Sequence, residues 1–334
     1  MATPLLSVEN LDVAFHFKDN DYHALNDVSF SVFSNEVLGI VGESGCGKSL
    51  TSQAIMGILP KNASIQQGTI AFNQKNLVNM KEKEWQKIRG DAISMISQEP
   101  MTSLNPLLTV GKQIGEVLKQ HRSCSKSERK EKTISLMKEV GLPRAEELYK
   151  SYPHQLSGGM RQRIVIAIAL IASPQLIIAD EPTTALDVTI QAQILELFRD
   201  IKNTRNSSLI FISHDWGVIR QICDRVVVMY AGRVVEQGKV SDILYEPKHP
   251  YTKGLIQSIP DHTKRGEELY TIPGTVPGLK ERKGGCPFVD RCSHRMDVCH
   301  TISPEEVHLE NQSVSCHLYA EEEVKNVSTI NRIR

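Results

Sequence analysis

The segment VLGIVGESGCGKSLTSQAIMGIL, residues 37–59, decides the fold of this 334-residue chain. It begins with a short apolar run, Val37–Val41, that is typical of a buried parallel strand. A glycine-rich turn, Gly42–Ser49 (GESGCGKS), comes next and is followed by a helical pattern. Small residues at this spacing let backbone N–H groups wrap a phosphate at the start of a helix. The segment therefore predicts an α/β fold with a P-loop that binds a nucleotide.

Each position of the P-loop has a predicted role in binding. Lys48 would reach the β- and γ-phosphates, and the Ser49 hydroxyl would coordinate Mg²⁺. Cys46 stands at a free position, where a small space-filling residue is expected, although a thiol this close to phosphate is also a candidate for alkylation. The residues predicted to bind nucleotide in this segment are Gly42, Ser44, Gly45, Cys46, Gly47, Lys48, Ser49 and Leu50.

A nucleotide site needs a second, acidic element at the end of another core strand, and LIIADEP, residues 176–182, supplies it. Leu176–Ala179 has the pattern of a buried strand. Asp180 is placed to bind Mg²⁺ through water, and Glu181 is the candidate general base for the attacking water. Two adjacent buried carboxylates without a cation would be costly, which favours a functional pair over incidental strand-end acids.

The heptapeptide LSGGMRQ, residues 156–162, resembles the signature sequence of ATP-binding cassette (ABC) proteins. Ser157, Gly158 and Gly159 offer a hydroxyl and unshielded N–H groups at a helix N-terminus, a second anion-binding surface. The resemblance implies that this surface closes on ATP held by the opposite subunit. Because the chain has one P-loop and one signature, it is expected to dimerise in order to hydrolyse ATP efficiently.

Three further motifs match the ABC pattern. Gln98, in SMISQEP, resembles the Q-loop glutamine, which would contact magnesium or water. Ala185–Asp187 resembles the D-loop and adds Asp187 to the predicted nucleotide site. His214, in IFISHDW, resembles the switch histidine, whose imidazole would sense or polarise the γ-phosphate. The predicted magnesium ligands are Ser49, Gln98 and Asp180, and the predicted catalytic residues are Glu181, His214 and Gln98.

The resemblance covers roughly Leu5–Ser258 and implies the architecture of the cassette. An antiparallel β region near the N-terminus should join a RecA-like parallel sheet, with a helical subdomain over about 98–157. The family stacks adenine on an aromatic residue upstream of the P-loop. Phe15 is the predicted platform, with Phe17 and Tyr22 as alternatives.

Two stretches point to one branch of the family. EPMTSLNPLLTVGKQIGE (99–116) and HPYTKGLIQSIP (249–260) resemble the dipeptide/oligopeptide permease ATPases, a subgroup that includes nickel-importer subunits. The resemblance implies a homologous second ATPase subunit, two transmembrane permease subunits and an extracellular substrate-binding protein. Gln98 and the segment Glu99–Pro106 would transmit the closed state of the paired ATPase subunits to the permease. A nickel or metal-chelate importer, a soluble ATPase with a metal-sensing tail and a regulator without turnover remain alternatives.

Composition and charge are those of an ordinary globular protein. Lys+Arg and Asp+Glu both total 39, so no net field favours nucleic acid or anionic lipid. The first residues lack the pattern of a secretory signal. The longest apolar run, Ile164–Ala172, is about half of the roughly 20 residues that a membrane span needs. Together with these absences, the resemblance to permease ATPases implies a peripheral protein at the cytoplasmic face of the plasma membrane.

The predicted C-terminal domain, 259–334, is rich in glycine and proline and is expected to be small and irregular. It contains four of the seven cysteines, spaced C-x5-C-x6-C-x16-C: Cys286, Cys292, Cys299 and Cys316. A reducing cytosol disfavours disulfides, and the C-x2-C pair common in zinc sites is absent. The spacing is similar to the C-terminal cluster motif of the peptide-permease ATPases, which implies a [4Fe–4S] cluster. Zinc and metal-free thiols are the alternatives. Arg291 and the nearby histidines are candidate hydrogen-bond donors to cluster sulfurs, although a solvated side chain is the favoured interpretation of each.

Overall fold

The computed structural model describes residues 3–98, 103–184, 186–259, 270–282 and 284–320. Within them the chain divides into two units. The first is drawn from Met1–Leu5, Val32–Val37 and Asn79–Ile212, and the second from Leu6–Ser31, Leu38–Val78 and Ser213–Arg334.

Strands and helices alternate along much of the chain. The strands are β1 (Leu6–His16), β2 (Asp21–Val32), β3 (Val37–Val41), β4 (Ala63–Phe72), β5 (Lys75–Asn76), β6 (Ile93–Ile96), β7 (Leu176–Asp180), β8 (Ser208–Ile212), β9 (Arg225–Tyr230), β10 (Arg233–Lys239), β11 (Glu306–His308) and β12 (Gln312–Ser315). The α-helices are α1 (Lys48–Ile55), α2 (Glu82–Ile88), α3 (Val110–His121), α4 (Lys126–Glu139), α5 (Ala145–Leu148), α6 (Gly158–Leu170), α7 (Val188–Arg205), α8 (Trp216–Ile222), α9 (Val240–Tyr245) and α10 (Pro250–Gln257).

The first unit contains three parallel strands in the order β8-β7-β6. Every residue of β7 and β8 is buried. Their runs of leucine, isoleucine and alanine suit parallel strands that are covered on both faces. The predicted strand at Leu176–Ala179 is therefore present, and it delivers Asp180 and Glu181 at its carboxyl end.

Helices fill the rest of the first unit, and α3, α4 and α5 lie within the predicted helical region. The start of α4 is fixed by a capping box. The Ser125 hydroxyl accepts a hydrogen bond from the Glu128 N–H, and the Glu128 carboxylate accepts one from the Ser125 N–H. Each bond satisfies a donor that the first turn of a helix leaves without a partner.

The second unit contains the predicted antiparallel β region. Its strand order is β2-β1-β4-β5, and β4 runs antiparallel to both β1 and β5. The register of β1 on β4 places Phe15 opposite Ala63.

A second group of strands in this unit carries the P-loop. Strand β3 pairs parallel with β9, and β10 returns antiparallel beside β9. The C-terminal strands β12 and β11 continue the group beyond β10, both in antiparallel pairing. Residues downstream of 300 thus share main-chain hydrogen bonds with the strands that carry the predicted P-loop. None of the described helices is long and apolar enough to span a membrane.

Candidate functional site

The P-loop turns between the end of β3 and the start of α1, and its glycines are required by geometry. Gly42 and Gly47 have φ of 154° and 109°, which L side chains rarely adopt. A Cβ at Gly42 would lie 2.3 Å from the carbonyl oxygen of Met229, and one at Gly47 would lie 2.6 Å from Cδ2 of Leu25. The loop can take this path only with glycine at both positions.

Lys48 folds back over the loop that precedes it and is only 6% exposed. Its Nζ donates to the carbonyl oxygens of Gly42 at 2.7 Å and Glu43 at 3.2 Å. It also donates to Sγ of Cys46 at 4.0 Å. Because these partners are all uncharged, and no ion pair of Lys48 occurs within the described part of the chain, the ammonium is suited to pair with a phosphate. Cys46 is fully buried, and burial raises the pKa of its thiol. The predicted space-filling role suits this environment, whereas alkylation is disfavoured.

The first unit brings the predicted catalytic base and the Q-loop glutamine together. The Gln98 amide donates to Oε2 of Glu181 at 3.2 Å, and the Thr184 hydroxyl donates to the same oxygen at 2.9 Å. Glu181 has a φ of 47°, a left-handed conformation that is uncommon for a residue with a side chain. Strain of this kind is concentrated at functional sites. Asp180, just before it, is 4% exposed.

The signature residues stand at the start of α6. Ser157 is the N-cap, and its hydroxyl accepts a hydrogen bond from the Met160 N–H at 3.4 Å. Ser157 and Gly158 are exposed, so the hydroxyl and the first N–H groups of the helix face solvent. A Cβ on Gly159 would lie 2.9 Å from Cγ2 of Ile190.

The D-loop aspartate has a local structural role. Asp187 is the N-cap of α7, and its carboxylate accepts a hydrogen bond from the Ile190 N–H at 2.9 Å. Ala185 lies outside the described residues, as do residues 99–102 of the predicted coupling segment.

His214 and the aromatic candidates belong to the second unit. His214 is exposed just before α8, in a turn fixed by Asp215, which donates its N–H to the Ser213 hydroxyl and caps the helix. Phe17 lies between the other two candidate rings, with centroids 6.5 Å from Phe15 and 5.6 Å from Tyr22. Because the three predicted adenine platforms form one cluster, the geometry does not choose among them.

The four C-terminal cysteines lie close together in the second unit. Burial, with a smaller contribution from the neighbouring thiols of the set, raises the pKa of Cys286 and of Cys316 to about 11. The backbone adds a direct link, because the Cys286 N–H donates to the carbonyl oxygen of Cys299 at 2.8 Å. We call residues 284–300 the cysteine region, and Cys316, which follows β12, completes the set.

Two family models match successive parts of this chain. A family model described as "ABC transporter" matches residues 25–184, and one described as "Oligopeptide/dipeptide transporter, C-terminal region" matches residues 235–299. The dipeptide transport ATP-binding protein DppD of Bacillus subtilis is 52% identical over 316 residues, which are 94% of this chain and 94% of that protein. The chain belongs to the ABC transporter family.

Further relatives agree with membership of this family. The oligopeptide transport ATP-binding protein OppD of Salmonella typhimurium is 47% identical, over 96% of this chain and 96% of that protein. Among solved structures, the ATP-binding cassette MJ0796, in a dimeric post-hydrolysis state bound to ADP and phosphate, superposes with a TM-score of 0.64. The superposed region is 27% identical in sequence and spans 70% of this chain and 98% of the solved one. The predicted mixed α/β cassette fold is confirmed.

The cysteines of this ABC protein do not form a ready site for one metal ion. Among the residues that the structure describes, no group of three or more His, Cys, Asp or Glu side chains is arranged to hold one. A tetrahedral zinc site would require sulfurs about 3.8 Å apart, as follows from its Zn–S distance. The predicted metal site is thus not shown, and the zinc alternative fits least.

The chemistry of the donor set nevertheless suits a larger cluster. Backbone N–H groups donate to three of the four sulfurs: His294 to Cys292 at 3.4 Å, and those of Phe288 and Leu318 to Cys286 and Cys316. Such bonds favour thiolates, and hydrogen bonds to sulfur are a feature of iron–sulfur sites. The raised pKa values favour neutral thiols in the absence of a cation, and bound iron would favour the thiolates, so the four partly buried cysteines are chemically suited to a multi-metal group.

Sequence reasoning missed the residues that hold the P-loop from the C-terminal side. It considered Arg291 as a donor to the cysteine sulfurs and favoured a solvated side chain. The solvated interpretation is wrong, because the Arg291 side chain is 5% exposed and pairs with the carboxylate of Glu43. Tyr251 and Arg282 also reach the loop, at the Glu43 N–H and the Gly45 carbonyl. The available signal was Glu43 itself, an acidic residue at a free position of a loop built to bind phosphate.

Proposed function

We propose that this chain is the ATP-binding and ATP-hydrolysing subunit that energises a membrane importer for dipeptides and oligopeptides. The main supporting observation is that the same chain matches both the ABC transporter model and the model of the oligopeptide/dipeptide transporter C-terminal region. Relatives named for dipeptide and oligopeptide transport align over nearly its whole length. The proposed domains are 5–258 for the cassette and 259–334 for the C-terminal extension.

ATP would be held by the P-loop and by the aromatic cluster. The N–H groups between Gly42 and Ser49 would surround the β-phosphate, and Lys48 would exchange its carbonyl partners for phosphate oxygens. Phe15 would stack on adenine. Burial of Lys48 supports this role, because a buried ammonium whose partners among the described residues are two carbonyls and a thiol gains most from an arriving phosphate.

Hydrolysis would use Glu181 as the general base. Its carboxylate takes a proton from water, the water oxygen bonds to the γ-phosphorus, and the bond to the β-γ bridging oxygen breaks, giving ADP and phosphate. Gln98 orients the carboxylate through the 3.2 Å hydrogen bond, and His214 would contact the γ-phosphate. Magnesium, held by Ser49, Asp180 and Gln98, would neutralise developing charge on the phosphates.

The site would be completed by a second, homologous ATPase subunit. The exposed hydroxyl and N–H groups at Ser157 and Gly158 would bind the γ-phosphate of ATP on the partner, and Asp187 would lie at the same interface. ATP would close the two ATPase subunits on each other, and hydrolysis would let them open again. The nucleotide would thus shift the equilibrium between a closed and an open state.

The proposed partners follow from this arrangement. Two permease subunits would receive the closure at the membrane, through Gln98 and Glu99–Pro106, and an extracellular binding protein would supply peptide. The chain would lie at the cytoplasmic face of the plasma membrane. A nickel or metal-chelate cargo is the second candidate, which no match reported above favours.

We also infer that the four cysteines hold a [4Fe–4S] cluster. Their thiolates would be the ligands, and the backbone N–H groups on Cys286, Cys292 and Cys316 would lower the charge on the sulfurs. The cluster would tie the cysteine region to the segment after β12. Anaerobic purification with iron, sulfide and zinc analysis tests this, and a colourless protein with one equivalent of zinc would contradict it.

The proposed ATPase role is tested with the complete transporter in liposomes, using the Glu181→Gln variant. Steady-state ATP hydrolysis should fall about 10²- to 10⁴-fold, the range for loss of a general base, while ATP binding persists. Glu196→Gln, an exposed acid on α7, is the matched control and should keep full turnover. Undiminished hydrolysis by Glu181→Gln would rule out the assigned base.

A further inference from the structure

Glu43 is a carboxylate inside a loop built to bind phosphate. Its side chain is 32% exposed, and its own carbonyl oxygen accepts a hydrogen bond from Lys48. An anion at this position would repel a nucleotide triphosphate unless another group neutralised it, because like charges at short range oppose each other strongly where water is partly excluded. The loop motif provides no such group other than Lys48, which is needed for the phosphates.

Arg291 supplies the missing charge from the cysteine region. Its Nη1 lies 2.7 Å from Oε2 of Glu43, and its Nη2 lies 3.0 Å from Oε1, so the two groups form a bidentate pair. The Arg291 side chain is 5% exposed. Bidentate guanidinium–carboxylate pairs are strong and fix orientation, and burial protects this one from screening by salt.

The guanidinium is held in place by groups other than Glu43. Its Nε donates to the carbonyl oxygen of Pro273 at 2.8 Å, and Nη1 lies 3.3 Å from the Tyr230 hydroxyl oxygen. The rings of Tyr230 and Phe288 lie within 5.8 Å of the guanidinium carbon. Burial opposes the charged form, but the bonds to Glu43 and Tyr230 outweigh it and raise the pKa of Arg291. The guanidinium is therefore charged and preorganised.

Two further contacts act on the same loop from downstream residues. The Glu43 N–H donates to the hydroxyl oxygen of Tyr251 at 2.9 Å, and Tyr251 is fully buried. Arg282 donates to the carbonyl oxygens of Ala24 at 2.8 Å and Gly45 at 3.3 Å. The P-loop is thus held at both Glu43 and Gly45 by residues outside the motif.

We propose that Arg291 is a positioning residue for ATP binding, which neutralises Glu43 and fixes the P-loop through it. This rests on the proposed function of the loop as the ATP site. Since Arg291 directly precedes Cys292, the fold of the cysteine region determines where the guanidinium lies. Nucleotide binding and order in the cysteine region are consequently coupled, and coupling free energies act in both directions.

The test measures MgATP binding to the full-length protein by calorimetry, together with the ATPase kinetics of the assembled complex. Arg291→Gln should weaken binding about 5- to 150-fold, the usual range of such coupling, and raise KM with little change in kcat. Arg295→Gln, an exposed arginine of the same region, is the matched control and should bind as the unmodified chain does.

A double-mutant cycle separates neutralisation from a merely structural role. Glu43→Gln removes the repelling charge, so the Arg291→Gln/Glu43→Gln protein should bind MgATP as well as Glu43→Gln alone. Loss of binding that the second substitution does not restore would overturn the proposal. If Arg291→Gln does not fold, Arg291→Lys replaces it in the test. Lysine keeps the positive charge but cannot form the bidentate pair, so the loss of MgATP affinity should be intermediate.

Hydrogen exchange supplies a readout that is independent of activity. MgATP should slow exchange of the backbone amides in 286–300 in the unmodified chain and should not do so in Arg291→Gln. Equal MgATP affinity in Arg291→Gln and the unmodified chain would refute the inference and leave the proposed function standing. Absence of MgATP binding by the unmodified chain would refute both.

Discussion

The P-loop and the cysteine region lie in the same unit, but different parts of the chain determine their structures. Most of the P-loop geometry is local, because glycines permit the turn and Lys48 folds onto carbonyls a few residues before it. The cysteine region depends on distant partners. The Arg291–Glu43 pair joins residues 248 positions apart. The P-loop motif therefore predicts nucleotide binding from the sequence alone. The contacts that position the loop, such as Arg291–Glu43, are brought together only by the fold.

The largest effect is expected from changing the turn itself. Gly42→Ala would place Cβ 2.3 Å from the Met229 carbonyl oxygen and should abolish MgATP binding, because neither backbone can move away cheaply. Gly45→Ala is the matched control. Its Cβ meets nothing within 4 Å, so only the φ of 78° opposes it, at about 1–2 kcal/mol of stability. Calorimetry that shows equal affinity in both variants would remove the steric explanation.

The next effect concerns the cysteine region. Cys316→Ser should lower the iron and sulfide content of anaerobically purified protein and speed amide exchange in 286–300. Cys124→Ser, which alters a cysteine outside the set, should change neither. Iron content that is unchanged in Cys316→Ser would exclude this residue as a ligand.

A smaller effect should appear as a pH dependence of stability. His249 is 2% exposed, and burial lowers its pKa to about 3. The unfolded chain then takes up the proton first as pH falls, so stability is lost from about pH 6.5 downward, by about 2 kcal/mol between pH 6.5 and 5. His249→Asn should keep the cap on the Tyr251 N–H and remove this loss.

The comparison of unfolding free energies with and without His249 isolates its contribution. Burial also raises the pKa of Glu236, whose carboxylate accepts from the N–H groups of Lys248 and His249. Because the folded chain takes up this proton first, Glu236 adds stability as the pH falls, which is opposite to the effect of His249. Both proteins contain Glu236, so its contribution cancels in the comparison. Parallel pH profiles for the two proteins would contradict the lowered pKa, because they would show that His249 has the same pKa in the folded and the unfolded chain.

The smallest effect is expected in the first unit, far along the chain from either region. Ser125→Ala removes the N-cap of α4 and should cost about 1 kcal/mol of unfolding free energy. MgATP affinity should stay unchanged. A loss of affinity in this variant would show that local caps in the helical region also control the nucleotide site.

Sequence reasoning predicted the elements whose cause is local. The strand before the P-loop, the strand that leads to Asp180 and the helix that starts at the signature follow from apolar pattern, glycine and short polar side chains. The antiparallel region was implied by the family resemblance instead. The pairing of β12 with β10 was not predicted, because β12 itself shows no alternation of apolar and polar residues that would indicate a strand. The role of Arg291 was missed because its partner lies 248 positions away in the sequence.

The central claim is that ATP hydrolysis by this chain drives peptide import. Its most direct test is uptake of a radiolabelled dipeptide into vesicles that contain the complete transporter with its binding protein, measured together with ATP hydrolysis. The account predicts uptake that requires ATP and that stops in Glu181→Gln. Dipeptide uptake that continues at the unmodified rate in Glu181→Gln, or ATP hydrolysis without any uptake of peptide, would contradict it.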